Sequence, residues 1–323
     1  MLMVTKLKAY VCFLGELANV NRHEWQIAIR HRSHRALYEG NGTGFYAVKN
    51  TMRYWFADPF LFSHNGRDFL FAEMFDRWTE KGVIGVCQIR NGKCGNFRVC
   101  LELPWHLSYP CVYEDETGIH MIPECYQSGE VWVYRCVEFP YRWEKERKLL
   151  DGYAVDTTPC LFDGNRVWLT TRFESLDKRN NDNLWQINEK DGSLNNVAPK
   201  SYTSRCAGHI IADDRFLIRP SQNCCRSYGE NLVFNRGFFK NGVYQETPFM
   251  KVIPSDIDNN GDAVQVKCEG LKAKCSGLHT YNINSRYAVI DLRFSGKRSI
   301  VTLLKNWSKH MAKKIKNRDN YAF

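Results

Sequence analysis

Three acidic residues, Asp58, Glu124 and Asp156, fall at the edges of repeated short hairpins in a chain of 323 residues. Carboxylates that converge on one anomeric carbon are the tools of glycosyl chemistry, one serving as base or nucleophile and another as acid. A further charge close by separates their pKa values and so their roles. Glu73 holds a related place and is expected to join them. Trp55, Phe56, Trp78, Trp105, Tyr109 and Trp132 flank these positions, and aromatic rings suit the C–H faces of sugars. Taken singly, each acid would read as an exposed or paired loop residue and each ring as core. Arg135, Arg172, Arg205 and Arg219 lie in or beside the same hairpins. Arginine grips phosphate through paired hydrogen bonds, as an activated sugar donor requires, and internal pairing with the acids is the equal alternative. The chain has no Walker-type loop, no His-Glu-x-x-His and no Gly-x-Ser-x-Gly, so no metal or cofactor is expected. Asp256-Ile257-Asp258 has D-x-D spacing but sits in a polar stretch that reads as loop.

What must position these residues is a repeat. Segments 57–73, 108–124, 157–172, 208–222 and 279–293 each read as a short apolar strand, a turn, and a second apolar strand ending on a polar residue. Turn chemistry supports hairpins at Asn65-Gly66, Asp163-Gly164, Asp213-Asp214 and Asn284-Ser285. Pro59 to Pro110 is 51 residues, Pro110 to Pro159 is 49, Pro159 to Ile210 is 51, and Ile210 to Thr280 is 70. Outer strands are expected at 81–89, 130–139, 183–188, 231–239 and 263–270. Repeats of this length with about four strands each predict an all-β, five-bladed β-propeller; an irregular β-sandwich is the rival. Residues 1–45 read as a lead-in, 46–296 as the propeller, and 297–323 as a basic tail with a short amphipathic helix. The last strand of the ring could come from either terminus. In such a ring the starts of first strands and the ends of second strands share one mouth. That gathers Asp58 with Glu73, Ser108 with Glu124, Asp156 with Arg172, His209 with Arg219 and Gln222, and His279 with Arg293.

The formal charge is +10, and eight positive residues fall between Lys297 and Arg318 with no acid among them. The body is therefore nearly neutral, which argues against nucleic acid as a partner. The tail suits either packing on the flank of the ring or an anionic membrane surface, contacted through residues 297–318. The 13 cysteines are odd in number, and none forms a C-x-x-C pair, as in a reduced intracellular protein. The N-terminus has no long apolar core and reads as lacking a signal peptide, so a cytoplasmic location is expected, peripheral at the inner face of the membrane if the tail binds there.

Several runs carry a family resemblance: Ala57-Asp58-Pro59-Phe60, His106-Leu107-Ser108-Tyr109-Pro110, Ile122-Pro123-Glu124, Arg219-Pro220-Ser221-Gln222-Asn223-Cys224 with Tyr228-Gly229, and Gly277-Leu278-His279-Thr280. Over roughly residues 50–293 the chain resembles the N-terminal domain of glucosamine inositolphosphorylceramide transferases and its stand-alone bacterial relatives. That domain is similar in turn to the five-bladed propellers of family-43 glycoside hydrolases. The resemblance implies a carbohydrate-active protein on the biosynthetic side, with Asp58 as base and Glu124 and Asp156 in the acid and pKa-tuning roles. The expectation is thus a glycosyltransferase of surface polysaccharide or glycolipid assembly, taking an activated, phosphate-linked sugar donor and a glycan or glycolipid acceptor. The expected substrate-binding set is Glu73, His106, Ser108, Tyr109, Arg135, Arg172, Arg205, His209, Arg219, Gln222 and His279. A glycoside hydrolase using the same acids and a non-catalytic glycan-binding partner of a transferase are the alternatives.

Overall fold

A strand sandwiched between two neighbouring sheets must be apolar on both faces, and the inner strands of this chain read that way. Residues Phe56 to Phe62 are all buried, whereas the outer strand Arg142–Asp151 is largely exposed and charged. The computed structural model describes residues 21–297 apart from 33–34, 52, 163–164, 174–182, 189–191, 199–202, 213–215 and 258–273.

The chain begins with β1 (Asn21–His31) and β2 (Tyr46–Ala47). Blade 1 follows as β3 (Tyr54–His64), β4 (Arg67–Asp76) and β5 (Lys81–Arg90), with β6 (Lys93–Cys94) and β7 (Arg98–Leu101) both pairing β5. Blade 2 is β8 (Ser108–Asp115), β9 (Gly118–Glu124), β10 (Glu130–Glu138) and β11 (Arg142–Asp151). Blade 3 is β12 (Ala154–Phe162), β13 (Asn165–Arg172), β14 (Asn183–Asn188) and β15 (Leu194–Ala198). Blade 4 is β16 (Ile211–Ala212), β17 (Leu217–Asn223), β18 (Asn231–Lys240) and β19 (Val243–Val252). Blade 5 takes β20 (Lys274–Ile283) and β21 (Tyr287–Lys297) from one end of the chain and β1 and β2 from the other, in the order β2-β1-β21-β20. The fold is the expected five-bladed β-propeller, and the N-terminal side closes the ring. β1 lies in the stretch read as a lead-in, yet it is a full strand of the fifth sheet.

Two compact units divide the chain. The propeller comprises Trp25–Gln265 and Ser276–Arg293. The other unit gathers Met1–Glu24, Val266–Cys275 and Phe294–Phe323, of which only 21–24, 274–275 and 294–297 are described. The tail helix, the strand expected at 263–270, and the turns at Asp163-Gly164 and Asp213-Asp214 lie outside the described residues. No described helix is long and apolar enough to cross a membrane.

The apolar cores lie between blades. Phe60, Phe71 and Ile84 of blade 1 meet Cys111, Met121, Tyr134 and Trp143 of blade 2. Ile122, Val131 and Val133 of blade 2 meet Trp168 and Ile187 of blade 3. Ile27, Ile29 and Val289 of blade 5 close against Leu61, Leu70 and Ala72 of blade 1. The hairpin turn at Asn65-Gly66 has φ of 49° and 72°, the two positive values that a tight two-residue connection requires.

One detail of register shapes the site. In β3–β4, Ala57 pairs Glu73 and Phe60 pairs Phe71, so Asp58 and Pro59 face a single residue. In β8–β9, Ser108 pairs Glu124 and Cys111 pairs Ile122, leaving Tyr109 and Pro110 in the same position. In β12–β13, Val155 pairs Thr171 and Thr158 pairs Leu169, leaving Asp156 and Thr157. Each is a β-bulge, and its first residue has positive φ: 48° at Asp58, 45° at Tyr109 and 53° at Asp156. The structural equivalents are thus Asp58, Tyr109 and Asp156. Matching Pro159 to Pro59 and Pro110 sets blade 3 two residues out of step, because Thr157 takes the proline's place.

Ile27 and Ile29 are completely buried in β1. Truncating either to alanine should cost about 2–5 kcal/mol in urea unfolding, as for a core position of any other blade. A loss below about 0.5 kcal/mol, the range of surface substitutions, would mark β1 as a loosely attached lead-in.

Candidate active site

The bulges turn Asp58, Tyr109 and Asp156 toward the axis. Asp58 is 4% exposed. Its Oδ1 accepts from Thr280 Oγ1 at 2.8 Å and lies 3.4 Å from His279 Nε2, and its Oδ2 accepts the Tyr109 backbone N–H at 3.1 Å. Burial drives the Asp58 carboxyl up to about 7, against the pull of His279 and with help from Asp291, Glu73 and Asp156. Asp156 is locked to Arg205, with Nε to Oδ2 at 2.5 Å and Nη2 to Oδ1 at 3.1 Å, and Gln222 Nε2 donates to the same Oδ2 at 3.2 Å. Arg205 Nη2 also reaches Glu124 Oε2 at 3.3 Å. Burial and the neighbouring Asp156 charge push the Glu124 carboxyl well above the usual carboxylate range, against the pull of Arg205. Three acids from three blades therefore share one mouth in unlike states. The Asp58 carboxyl is raised to about 7, the Glu124 carboxyl is shifted up by burial and Asp156, and Asp156 sits in an ion pair.

Around this centre Glu73 is buried, and His106 supports it. His106 Nδ1 accepts the Gly82 backbone N–H at 3.0 Å, so Nε2 carries the proton toward Glu73 Oε1 at 3.3 Å. Gly82 has to be glycine here, since a Cβ would stand 2.3 Å from the Leu107 carbonyl oxygen. Ser108 is buried and pairs with Glu124 across β8–β9. Arg172 stands at the mouth end of β13, where it pairs Ala154. Its guanidinium lies over Trp185 at 5.5 Å and makes no hydrogen bond or ion pair among the described residues.

Four expected mouth residues stand elsewhere or face otherwise. Arg219 is fully buried and holds Glu246 through Nε (2.6 Å) and Nη2 (2.5 Å). Its remaining N–H groups bind the carbonyls of Thr203 and Ser204, so it buttresses the segment carrying Arg205. Arg135 pairs His120 far along blade 2 and bonds Thr117 O. His209 lies deeper in the channel, with Nε2 2.8 Å from Val112 O and its ring 4.9 Å from Phe60; burial pulls it down to about 4. Tyr109 presents no face to the mouth. Its hydroxyl accepts the Gly208 N–H at 2.8 Å and meets Thr158 Oγ1 at 2.8 Å, making it a plug across three blades.

Three residues outside the expected set belong to the centre. Asp291 binds His279 Nδ1 at 2.7 Å. Thr280 binds Asp58, and Trp25 stacks on His279 at 3.7 Å with 19° between planes. A lone acid inside the apolar run Tyr287-Ala288-Val289-Ile290-Asp291-Leu292 was the signal for Asp291; Trp25 had none. Asp58, His279 and Asp291 bring ligand-type atoms within 4.8 Å of one another, a spacing that could hold a metal ion. Their oxygens already receive Thr280 Oγ1 and the backbone N–H groups of Asp58, Tyr109 and Thr280. That donor set suits a hydrogen-bonded chain better than a cation.

If Arg219 is structural, Arg219→Met should cost up to about 3–5 kcal/mol by stranding the partly buried Glu246 carboxylate. Arg219→Met with Glu246→Leu should recover most of that in urea unfolding; a single variant as stable as the parent would contradict the role.

The family described as glucosamine inositolphosphorylceramide transferase 1, N-terminal, matches residues 47–262. Glucosamine inositolphosphorylceramide transferase 1 of Oryza sativa subsp. japonica is 30% identical over 187 residues, covering 54% of this chain and 25% of the rice protein. Its namesake in Arabidopsis thaliana is 28% identical over 189 residues, covering 54% and 24%. The chain thus spans about a quarter of the length of these relatives. Among solved structures, a Bombyx mori beta-fructofuranosidase has a TM-score of 0.49 at 11% identity, covering 76% of this chain and 69% of that one. An endo-arabinase from Bacteroides thetaiotaomicron has a TM-score of 0.47 at 15% identity, covering 62% and 82%.

Proposed function

This chain belongs to the family of the glucosamine inositolphosphorylceramide transferase 1 N-terminal region, and from that premise we propose that it is a glycosyltransferase in which Asp58 is the general base. The observation that carries the reading is the Asp58 environment. A buried carboxyl is held by Thr280, the Tyr109 N–H and His279, with its pKa raised to about 7. A base poised there can take a proton from an acceptor hydroxyl at neutral pH. The acceptor oxygen bonds the anomeric carbon as the bond to the leaving phosphate breaks, and the bonding electrons depart with the phosphate. Of the arginines near the mouth, Arg172 has no hydrogen bond or ion pair among the described residues and would meet that phosphate, whereas Arg205 is committed to Asp156 and Glu124. Asp156, Gln222 and Arg205 would hold the sugar hydroxyls. The relatives' name pairs an amino sugar with an inositol phosphate on ceramide. Carried over, it makes the acceptor a phosphorylated glycolipid headgroup, which a basic segment at 297–318 would keep near an anionic surface in the cytoplasm.

The second reading is glycoside hydrolysis, and Glu124 favours it. A carboxyl with its pKa shifted upward is what a glycosidic leaving oxygen needs and a phosphate does not, and burial and Asp156 shift Glu124 that way. Release of reducing sugar from an oligosaccharide without any activated donor would decide for it.

For transfer, Asp58→Asn should lower kcat by about 10²–10⁴-fold, while circular dichroism and the melting temperature hold. Unchanged transfer would end the base assignment. Since the base must be ionised, kcat/KM should rise with pH and level off above about 7. Arg172→Gln should raise the KM for a phosphate-linked donor about tenfold or more and leave the acceptor's KM unchanged; equal effects on both would remove Arg172 from the donor site.

A further inference from the structure

The histidine beside Asp58 lies between two carboxylates, and a second histidine in the same channel shows what that does. His279 Nδ1 is 2.7 Å from Asp291 Oδ1 and Nε2 is 3.4 Å from Asp58 Oδ1. A neutral imidazole has one N–H, so with both acids ionised one ring nitrogen would set its lone pair against a carboxylate oxygen. With both nitrogens protonated, both contacts are donor to acceptor.

Asp291 has no freedom to turn away. It is completely buried. Its Oδ1 also accepts the backbone N–H groups of Thr280 (2.9 Å) and His279 (3.3 Å), and its Oδ2 accepts the Asp58 N–H at 2.9 Å. The same carboxylate thus fixes the imidazole and tethers the bulge backbone of Asp58. Trp25 stacks on the His279 ring, and the Tyr228 ring meets its edge at 5.3 Å. Gly229 closes the pocket at φ +58°, where a Cβ would stand 2.8 Å from both His279 Cβ and Trp25 Cη2.

We propose that Asp291 is a positioning residue that holds His279 as a doubly protonated imidazolium against Asp58, giving the base a fixed counter-cation. The proposal rests on Asp58 being the base. Charged and titratable groups reach this pair from each neighbouring element. They are Asp58 on β3, Asp291 on β21 and Arg205 before β16, with Glu73 on β4 and Asp156 on β12 acting on Asp58. Arg293 lies over the far partner, the Trp25 ring, at 5.8 Å. Burial lowers His279, but Asp291 and Asp58 outweigh it, and its pKa stands above the ordinary value. His209 lies in the same channel with a carbonyl in place of a carboxylate, and burial pulls it down to about 4. The acids, rather than the channel, account for the difference.

The consequence is an upper pH limit. Above the His279 pKa the imidazole becomes neutral, the two carboxylates lose their shared cation, and the hold on Asp58 weakens. Activity then falls on an alkaline limb that belongs to His279.

Nitrogen-15 NMR of histidine-labelled full chain tests this without turnover, with the resonance assigned by its loss in His279→Gln. Both ring nitrogens should carry protons at pH 7. Asp291→Asn should lower the titration midpoint by about one unit or more, as expected for loss of an opposite charge in contact. In transfer assays the same substitution should drag the alkaline limb of kcat/KM down by the same interval. A single ring proton on wild-type His279 at pH 7, or a midpoint unmoved in Asp291→Asn, overturns the proposal. Should that variant fail to fold, the wild-type protonation state decides alone. If Asp58→Asn still transfers sugar, the base reading fails while the NMR result still reports on the imidazolium, so the two failures are distinguishable.

Discussion

An L-residue held at positive φ costs about 1–2 kcal/mol, and the position before proline is restricted further. Blades 1 and 2 place such a residue directly before proline, at Asp58 and Tyr109, and blade 3 repeats the conformation at Asp156. Almost everything at the mouth follows from these bulges. They add one residue to each inner strand, break the ladder, and aim the side chain at the axis instead of a neighbouring blade. The break at Tyr109 frees its N–H, which donates to Asp58. Because a tyrosine fills the blade 2 position, that blade supplies its acid from the end of β9, where Glu124 matches Glu73 of blade 1. Strain kept at three equivalent points, and offset by the interblade cores, is the pattern of a site held by its surroundings.

The electrostatics depend on that crowding. Acids brought this close cannot all ionise, and the surroundings decide which do. Arg205 is pinned to Asp156, leaving Glu124 the weaker share of one guanidinium. Arg205 is itself held from behind: Arg219, anchored by Glu246, grips the carbonyls of residues 203 and 204. An ion pair between β17 and β19 of blade 4 thus sets the placement of a cation at the axis.

The ring was legible in the sequence because its signals are local. Asn65-Gly66 marks a turn by itself, and the inner strands announce burial on both faces by unbroken apolar runs. The acids could be placed because they recur at hairpin ends. Contacts between distant segments were not legible. Nothing near Arg219 points to Glu246, and nothing near Arg135 says that it faces Thr117 instead of the axis. β1 joins the ring through β21, about 260 residues away in the sequence. Proline was a misleading marker in blade 3, since the bulge requires a backbone conformation and Thr157 serves there as well as proline does.

Closure by β1 also orders events in time. Asp58 and its bulge can form once blade 1 is made. The groups that hold its charge, His279 and Asp291, lie in the final blade, and the ring that stacks on His279, Trp25, waits at the start of the chain for β21 to arrive. During synthesis the early blades can therefore fold around a mouth whose electrostatic centre is incomplete. The last blade completes sheet, stack and charge network together, so the centre is assembled only when the two ends of the ring meet.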